Sequence, residues 1–351
     1  MASTITAIEE DGIPVVLSNN INATPDESSS EGEEEKETET DPSILTQSEI
    51  GWAKEIKSCI MKEDENLAKT ITDLEYGQLA IITKGKLDRA IKMVHRLSTF
   101  KKEHNIDTDY IGANIAADDI TILVDKAIES IKNLGKKSPG FIMSFGKEDD
   151  ENEDGKESKN KTSVIAFNLT AFNPRKYHIK KLSSSDTTDT DSSDTTDADT
   201  TEDDATAKEW KILYTGLYYL FEASSSTIAN IRSGTDIICN CDVIGYDSYS
   251  NEISKYGSSL YQDSYPIRVN GINCVNTPFI FRAIYAICKP FVSVHTTKVL
   301  NMSGTVQQIQ DKYNPQILPK SFDGKLGSWE MKNKLTAALK LRYETKATFT
   351  L

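Results

Sequence analysis

Three strongly acidic tracts constrain this chain more than any other feature of its sequence. They cover residues 1–47, 147–162 and 183–206, and their net charges at neutral pH are −11, −3 and −9. Such tracts hold too few apolar side chains to offset the entropy that is lost on ordering. We therefore predict that the first is a disordered acidic tail and that the other two are surface inserts within a folded domain.

The rest of the chain is basic. The whole chain carries −14 and the three tracts together carry −23, which leaves +9 for the remainder. A basic body suits anionic surfaces such as phospholipid headgroups. An ordinary lysine-rich solvated surface explains the same charge without any partner. The partners that we expect are a membrane surface with anionic lipids and proteins that bind the acidic segments, but no nucleic acid.

Cysteine usage and the first residues bear on the compartment. The five cysteines are an odd number and lie mostly in apolar contexts, which is typical of reduced thiols in the cytosol. The start, MASTITAIEEDG, has neither the basic residues nor the apolar core of a secretory signal. Uncharged apolar stretches of about 18 residues are absent, so we predict no transmembrane span. We expect a cytoplasmic protein that is peripheral at membranes.

Residues 48–135 predict a helical N-terminal domain. In DDITILVDKAIESIKNLG the apolar residues recur at i, i+3, i+4 and i+7. Asp118 or Asp119 suits the start of this helix, and Gly135 suits its end. A second amphipathic helix is predicted from Asp88 to about His104.

Residues 138–327 alternate between predicted strands and predicted helices. Strand patterns occur at 141–145, 163–169, 235–243 and 267–275. Helical patterns include one with Trp210 and Phe221 on a shared face and a short one at 252–260. This alternation favours an α/β layered sheet that is mostly parallel. Residues 328–351 are predicted only as a C-terminal tail.

No pattern for catalysis or metal binding stands out. The chain has no G-x-S-x-G elbow, phosphate-binding loop or dinucleotide G-x-G-x-x-G, and its four histidines are isolated. Cys239 and Cys241 would share one face of a strand, but two thiols are too few for a metal site. We interpret them as small core or pocket-lining side chains. We therefore expect neither an enzyme nor a cofactor.

The run NTPFIFRAIYAICKPF at 276–291 predicts an unusually apolar helix. On a helical wheel its apolar residues span an arc of about 160°, and Arg282 and Lys289 lie opposite the arc's centre. One interpretation is a core helix with two solvated cations. The other is a lid that closes over a ligand and then opens onto an anionic bilayer.

The sequence motifs around this run resemble those of a known family. YPIRVNGINCVNTPFIFRAIYAICKPF, followed by KVLNMSG and LPKSFDG, is similar to the CRAL-TRIO lipid-binding family. The wording is closest to its tocopherol-transfer and retinaldehyde-binding branch. CDVIGYD, NPRKY and the helical unit with Lys84 extend the resemblance. It covers about 65–110 and 138–327, apart from the two acidic inserts.

The resemblance implies an α/β cage, a mostly parallel sheet flanked by helices, preceded by a small all-helical domain. Such a cage buries one hydrophobic small molecule or phospholipid, and the helix at 277–291 is its mobile gate. The implied function is non-enzymatic binding and transfer of this ligand between membranes. The alternative is a lipid-sensing module that recruits protein partners at a membrane. The predicted pocket and gate residues are Ile237, Cys239, Cys241, Phe279, Ile280, Phe281, Ile284, Tyr285, Ile287, Cys288 and Phe291. The predicted membrane and headgroup residues are Lys84, Lys86, Arg268, Arg282, Lys289 and Lys298.

The sequence departs from the family members that bind phosphoinositides. Those members carry a glutamate after the Tyr-Pro pair and a basic residue five positions before the glycine of the KVLNMSG motif. Here the two places hold Ile267 and Val299. A headgroup site of the usual form is therefore not expected, and a relocated one would use Lys298, Arg268, Lys84 or Lys86.

Overall fold

Five helices come first in the fold. The computed structural model describes residues 41–106, 116–137, 142–147, 163–168, 214–242 and 264–351. The helices are α1 (Gln47–Glu63), α2 (Glu65–Lys69), α3 (Asp73–Thr83), α4 (Leu87–Glu103) and α5 (Ala117–Lys137). Thr46 and Thr72 begin α1 and α3 through reciprocal hydrogen bonds with Glu49 and Glu75. The predicted helical N-terminal region is thus confirmed.

Two predicted boundaries differ from the structure. Leu45 is buried among apolar side chains of α3 and a later helix, so the fold begins before residue 47. The acidity of the preceding residues concealed this short apolar anchor. Gly135 does not end α5, which continues to Lys137. The acidic tract before residue 41, the inserts at 148–162 and 183–206, and the predicted helix at 252–260 lie outside the described residues.

The sheet has the order β1-β2-β3-β4-β5, and its strands are β1 (Ile142–Lys147), β2 (Ser163–Asn168), β3 (Thr235–Asn240), β4 (Val269–Val275) and β5 (Leu300–Gly304). β1 pairs with β2 in antiparallel fashion, and the other pairs are parallel. Helices α6 (residues 214–224) and α7 (Ile228–Ser233) precede β3, whereas α8 (Phe279–Cys288) and α9 (Val294–Val299) join β4 to β5. The predicted mostly parallel sheet is confirmed.

The two faces of the sheet pack against different elements. On one side, which we call the inner face, Ile165 and Ile237 pack in the same core cluster as α6, and Phe281 of α8 packs beside Cys239, Ile272 and Leu300. The side chains of the inner face include Ile165, Phe167, Ile237, Cys239, Ile272, Cys274 and Leu300. On the other side, Val164, Ile238 and Val275 pack against α10 (Val306–Lys312) and the loop that follows it.

The last helix corrects the prediction of a C-terminal tail. Residues 328–351 form α11 (Ser328–Thr348), which buries a regular stripe along one side. The stripe consists of Leu335, Ala338, Leu339, Arg342, Tyr343 and Lys346. Two of these six side chains are cations, so the sequence shows no clear apolar periodicity there.

Several residues of the resembling motifs have steric roles. Asn276 adopts a left-handed conformation, with φ of 53°, where β4 turns into α8. A Cβ atom on Gly324 would lie 2.0 Å from the carbonyl oxygen of Leu318. A Cβ atom on Gly304 would lie 3.1 Å from the carbonyl oxygen of Cys274. These positions therefore favour the residue types that the motif contains.

Candidate functional site

The inner face is closed at Ile165 of β2 and Ile237 of β3, and it is partly open at Cys239 of β3 and over β4 and β5. Ile165 and Ile237 are buried in the main core beneath the N-terminal helices. Cys239, Ile272 and Leu300 are only partly buried, although β4 has a strand on either side. We call these three residues, together with Phe281 of α8, the pocket face. It is an apolar surface inside the fold that is only partly covered.

Helix α8 covers the pocket face with one side only. Ile284 is buried, and Phe281 packs against the cluster that contains Cys241 and Cys274. Ile280 and Tyr285 are half-buried at the margins of this contact. The side chains of Cys288 and Phe291 lie outside the part of the chain that the structure describes.

The outward side of α8 is also apolar, which differs from the predicted arrangement. Phe279 is 87% exposed and Ile287 is 61% exposed. The apolar arc of the helix is wider than its contact with the sheet, so these two predicted pocket residues lie at the surface instead. Arg282 and Lys289 are exposed as well. The outward side of α8 therefore combines large apolar side chains with cations.

Cys239, Cys241 and Cys274 form one cluster on the inner face. Cys239 and Cys274 are directly paired across β3 and β4, and Cys241 follows at the end of β3. A hydrogen bond with Cys274 and burial raise the pKa of the Cys241 thiol. A hydrogen bond with Cys239 raises the pKa of Cys274. These two thiols are neutral, which suits lining side chains better than nucleophiles or metal ligands.

Four of the predicted headgroup cations lie near the edge where β3 and β4 begin. Lys84 and Lys86 flank the turn after α3, whose last residues pack against α7. Arg268 donates a 2.9 Å hydrogen bond to the carbonyl of Arg232 at the end of α7. Lys298 lies on α9, whose His295 ring is 3.4 Å from the carbonyl of Val269.

All four of these cations are exposed. Ile267 is buried and Val299 packs against the main core, so neither position holds a headgroup ligand. Arg282, in contrast, lies on α8, and Lys289 directly follows it.

A buried ionic network is the main feature that the sequence analysis missed. Lys101 of α4 is 2.6 Å from Glu75 of α3, and Lys346 of α11 is 3.3 Å from the same carboxylate. Lys346 is also 2.7 Å from Glu222 of α6, and Arg342 is 2.9 Å from Glu222. Three cations thus surround two carboxylates, and all five side chains are buried.

The network also holds the Tyr-Pro pair of the resembling motif. The hydroxyl of Tyr265 donates to Glu222 at 3.0 Å, and the amide of Gln78 donates to the carbonyl of Pro266 at 2.6 Å. Arg342 completes the connection by donating to the Gln78 side chain. Helices α3, α6 and α11 and the segment before β4 are therefore joined through one set of polar contacts.

The cations of the network strongly lower the pKa values of its two carboxyl groups. Burial alone would raise the pKa of Glu75, but Lys101 and Lys346 lower it to about 2. Burial would likewise raise the pKa of Glu222, yet Arg342 and Lys346 hold it well below its ordinary value. Both carboxylates remain ionised, and this requires their cationic neighbours.

The described residues contain neither a candidate metal site nor a candidate membrane-spanning helix. Their His, Cys, Asp and Glu side chains form no group of three that could hold a metal ion. Among the described helices, none is long and apolar enough to cross a bilayer.

Comparisons with known proteins agree with this architecture. Residues 155–324 match the family model described as CRAL/TRIO domain. Human clavesin-2 is 35% identical over 71 residues, which is 20% of this chain and 22% of that protein. Rat clavesin-1 is 32% identical over 80 residues, which is 22% of this chain and 23% of that protein. The predicted resemblance to the CRAL-TRIO family is confirmed by this domain match, whereas the predicted branch within the family stays a prediction.

The extent of these similarities is limited. The match spans less than a quarter of the length of either clavesin. The crystal structure of Sfh5 aligns with 74% of this chain and 81% of its own, at 13% identity and a TM-score of 0.40. A similarity of that degree is too low to inform function.

Proposed function

Because the chain carries a CRAL/TRIO domain, we propose that it binds one hydrophobic small molecule or phospholipid and transfers it between membranes without chemical change. The observation that carries this proposal is the pocket face. Cys239, Ile272, Leu300 and Phe281 form an apolar surface inside the fold that is not fully covered. Burial of a largely apolar ligand there, at about 25 cal/mol per Å², supplies affinity with few polar contacts.

Helix α8 is the proposed gate. Its inward side packs on the pocket face through Phe281 and Ile284. Its outward side and the following helix α9 expose Phe279, Ile287 and Val294, the last of which is 74% exposed. Exposure of these apolar side chains to water is unfavourable, and the interfacial layer of a bilayer would bury them.

Cations accompany this outward side. Arg282 and Lys289 are exposed on and just after α8, and Lys298 is exposed on α9. Each contributes about 1 kcal/mol near an anionic leaflet, so the three favour docking at such a surface. We propose peripheral attachment through this side, with opening of α8 at the bilayer.

The edge where β3 and β4 begin suggests a phosphate-bearing headgroup. Lys84, Lys86, Arg268 and Lys298 come from three different elements that pack at or beside this edge. In this proposal the cations replace the contacts that Ile267 and Val299 do not make. Vesicles that contain a phosphorylated inositol lipid should bind better than phosphatidylserine vesicles of equal charge. Equal binding would contradict a specific headgroup site.

A vesicle-to-vesicle assay with a fluorescent lipid tests the function. We expect transfer to be faster with the protein, and slower when Arg282, Lys289 and Lys298 are all replaced by glutamate. The control is Lys340→Glu, because Lys340 lies on α11 and is 65% exposed. If the protein binds lipid but does not accelerate transfer, a lipid-sensing module that recruits proteins is the better assignment.

A further inference from the structure

The first two turns of α11 lie at the surface and carry an exposed tryptophan. The buried residues of α11 begin only at Leu335, so residues 328–333 have no buried side chain. Trp329 is 75% exposed. A tryptophan presents a large apolar area with one polar group, which is why this residue is enriched at membrane–water interfaces.

This tryptophan belongs to the same edge of the sheet as the start of α8. Asn240, the last residue of β3, donates to the carbonyl of Ser321 at 3.2 Å and accepts from Asn276 at 3.2 Å. Phe279 follows Asn276 by three residues. In the neighbouring loop the amide of Leu326 donates to the carbonyl of Leu318 at 2.9 Å. Trp329 is three residues beyond Leu326, a reach of at most about 11 Å.

The charges around Trp329 are mixed, with a small excess of cations. Lys320, Lys325 and Lys332 are exposed. The acidic residues of the segment are Asp323 and Glu330, and Glu330 accepts a 2.9 Å hydrogen bond from the amide of Gly327. The net attraction for an anionic leaflet is therefore weak, and insertion of the indole ring must supply most of the affinity.

We propose that Trp329 is an interfacial anchor that holds in a bilayer surface the same edge of the sheet at which Phe279 lies. The proposal rests on the membrane role given above, but it places a second contact outside the gate. Two contacts on separate elements would fix the orientation of the protein, so that α8 opens toward the lipid rather than toward water.

The test uses the full chain and vesicles of phosphatidylcholine and phosphatidylserine with brominated acyl chains, which quench inserted tryptophans. The chain has three tryptophans, Trp52, Trp210 and Trp329. We expect quenching in the wild type and in Trp52→Phe, and its loss in Trp329→Phe. Vesicle affinity should fall about tenfold in Trp329→Ala, the effect of losing one interfacial aromatic side chain.

Two outcomes would overturn the anchor. Unchanged quenching in Trp329→Phe would show that Trp329 stays in water. A dimer that dissociates in Trp329→Ala would show that a second copy of the chain covers it. The proposed function can be contradicted independently of the anchor. If the protein carries no lipid but Trp329 is still quenched, the anchor is supported and the lipid-carrier function is wrong. If lipid is transferred without quenching at Trp329, only the anchor is wrong.

Discussion

Individual buried charges hold the helices of this protein to its sheet. Arg342 donates to Glu222, to the carbonyl of Ser225 and to Gln78, and its side chain is fully buried. Sequence reasoning identified the Tyr-Pro pair by its wording but not Glu222, the partner of Tyr265. A carboxylate that is far away in sequence can be matched to its cations only in three dimensions.

Replacing Glu222 by glutamine should destabilise the protein strongly. The shape is kept, but Arg342 and Lys346 lose a carboxylate, and three buried cations then face one. We expect the free energy of unfolding to fall by about 3–5 kcal/mol in urea denaturation. Arg342→Met should cost less, because the remaining charges balance. Lys340→Ala, at the surface, should change stability by less than about 1 kcal/mol. If Glu222→Gln also lowers the free energy of unfolding by less than about 1 kcal/mol, the stabilising role of the network is contradicted.

Gly324 should not tolerate a side chain. A Cβ atom there would lie 2.0 Å from the carbonyl oxygen of Leu318, so Gly324→Ala requires the loop to move. We expect a loss of about 1–3 kcal/mol in thermal or urea unfolding. Gly51 in α1 is the matched control, because its Cβ atom would meet nothing within 4 Å. Gly51→Ala should stabilise by up to about 1 kcal/mol. Equal effects at the two glycines would refute the steric role.

Among the elements, α8 shows what an amphipathic pattern determines and what it leaves open. The period of 3.6 residues predicted a helix at this place, and the structure has one. The apolar arc was too wide to indicate which part would face the sheet. Phe281 and Ile284 turn inward, whereas Phe279 and Ile287 turn outward. Helix α11 was not predicted at all, because Arg342 and Lys346 interrupt the apolar pattern of its buried stripe.

Mutations on the two sides of α8 should have different effects. Phe281→Asp and Ile284→Asp should lower the amount of lipid that is retained through gel filtration, because a charge enters the pocket face. Phe279→Asp and Ile287→Asp should keep the lipid but weaken co-sedimentation with anionic vesicles. Circular dichroism checks that each variant is folded. Unfolding of both inward variants would instead favour α8 as a plain core helix.

For the molecule as a whole, the buried network predicts sensitivity to acid. The pKa of Glu75 is about 2 in the fold and close to 4.5 when unfolded, so its stabilisation is complete above about pH 4.5. It is lost as the pH falls toward 2, and Glu222 acts in the same direction. Urea midpoints should be nearly constant from pH 6 to 5 and fall steeply below about 4.5. This step should shrink in Glu222→Gln, and an unchanged step would contradict the role of the network.

At this scale the sequence predicted the class of fold, the helical N-terminal region and the family. Periodicity and motif wording are local, and they sufficed for β1 to β4 and for helices α4, α5, α6 and α8. Strand β5 and the other helices were not individually predicted. The joining of α3, α6 and α11 was not predictable, because it depends on contacts between residues as distant as Glu75 and Lys346. The open part of the inner face was also hidden, since it depends on which side chains are left uncovered.

Native mass spectrometry of the full chain, with organic extraction and lipid identification, tests the central claim most directly. The protein should carry one hydrophobic molecule per chain after purification or after exposure to vesicles. Phe281→Asp should reduce this occupancy, whereas Phe279→Asp should not. A chain that stays unloaded under all these conditions, while it remains folded, would contradict the assignment as a lipid carrier.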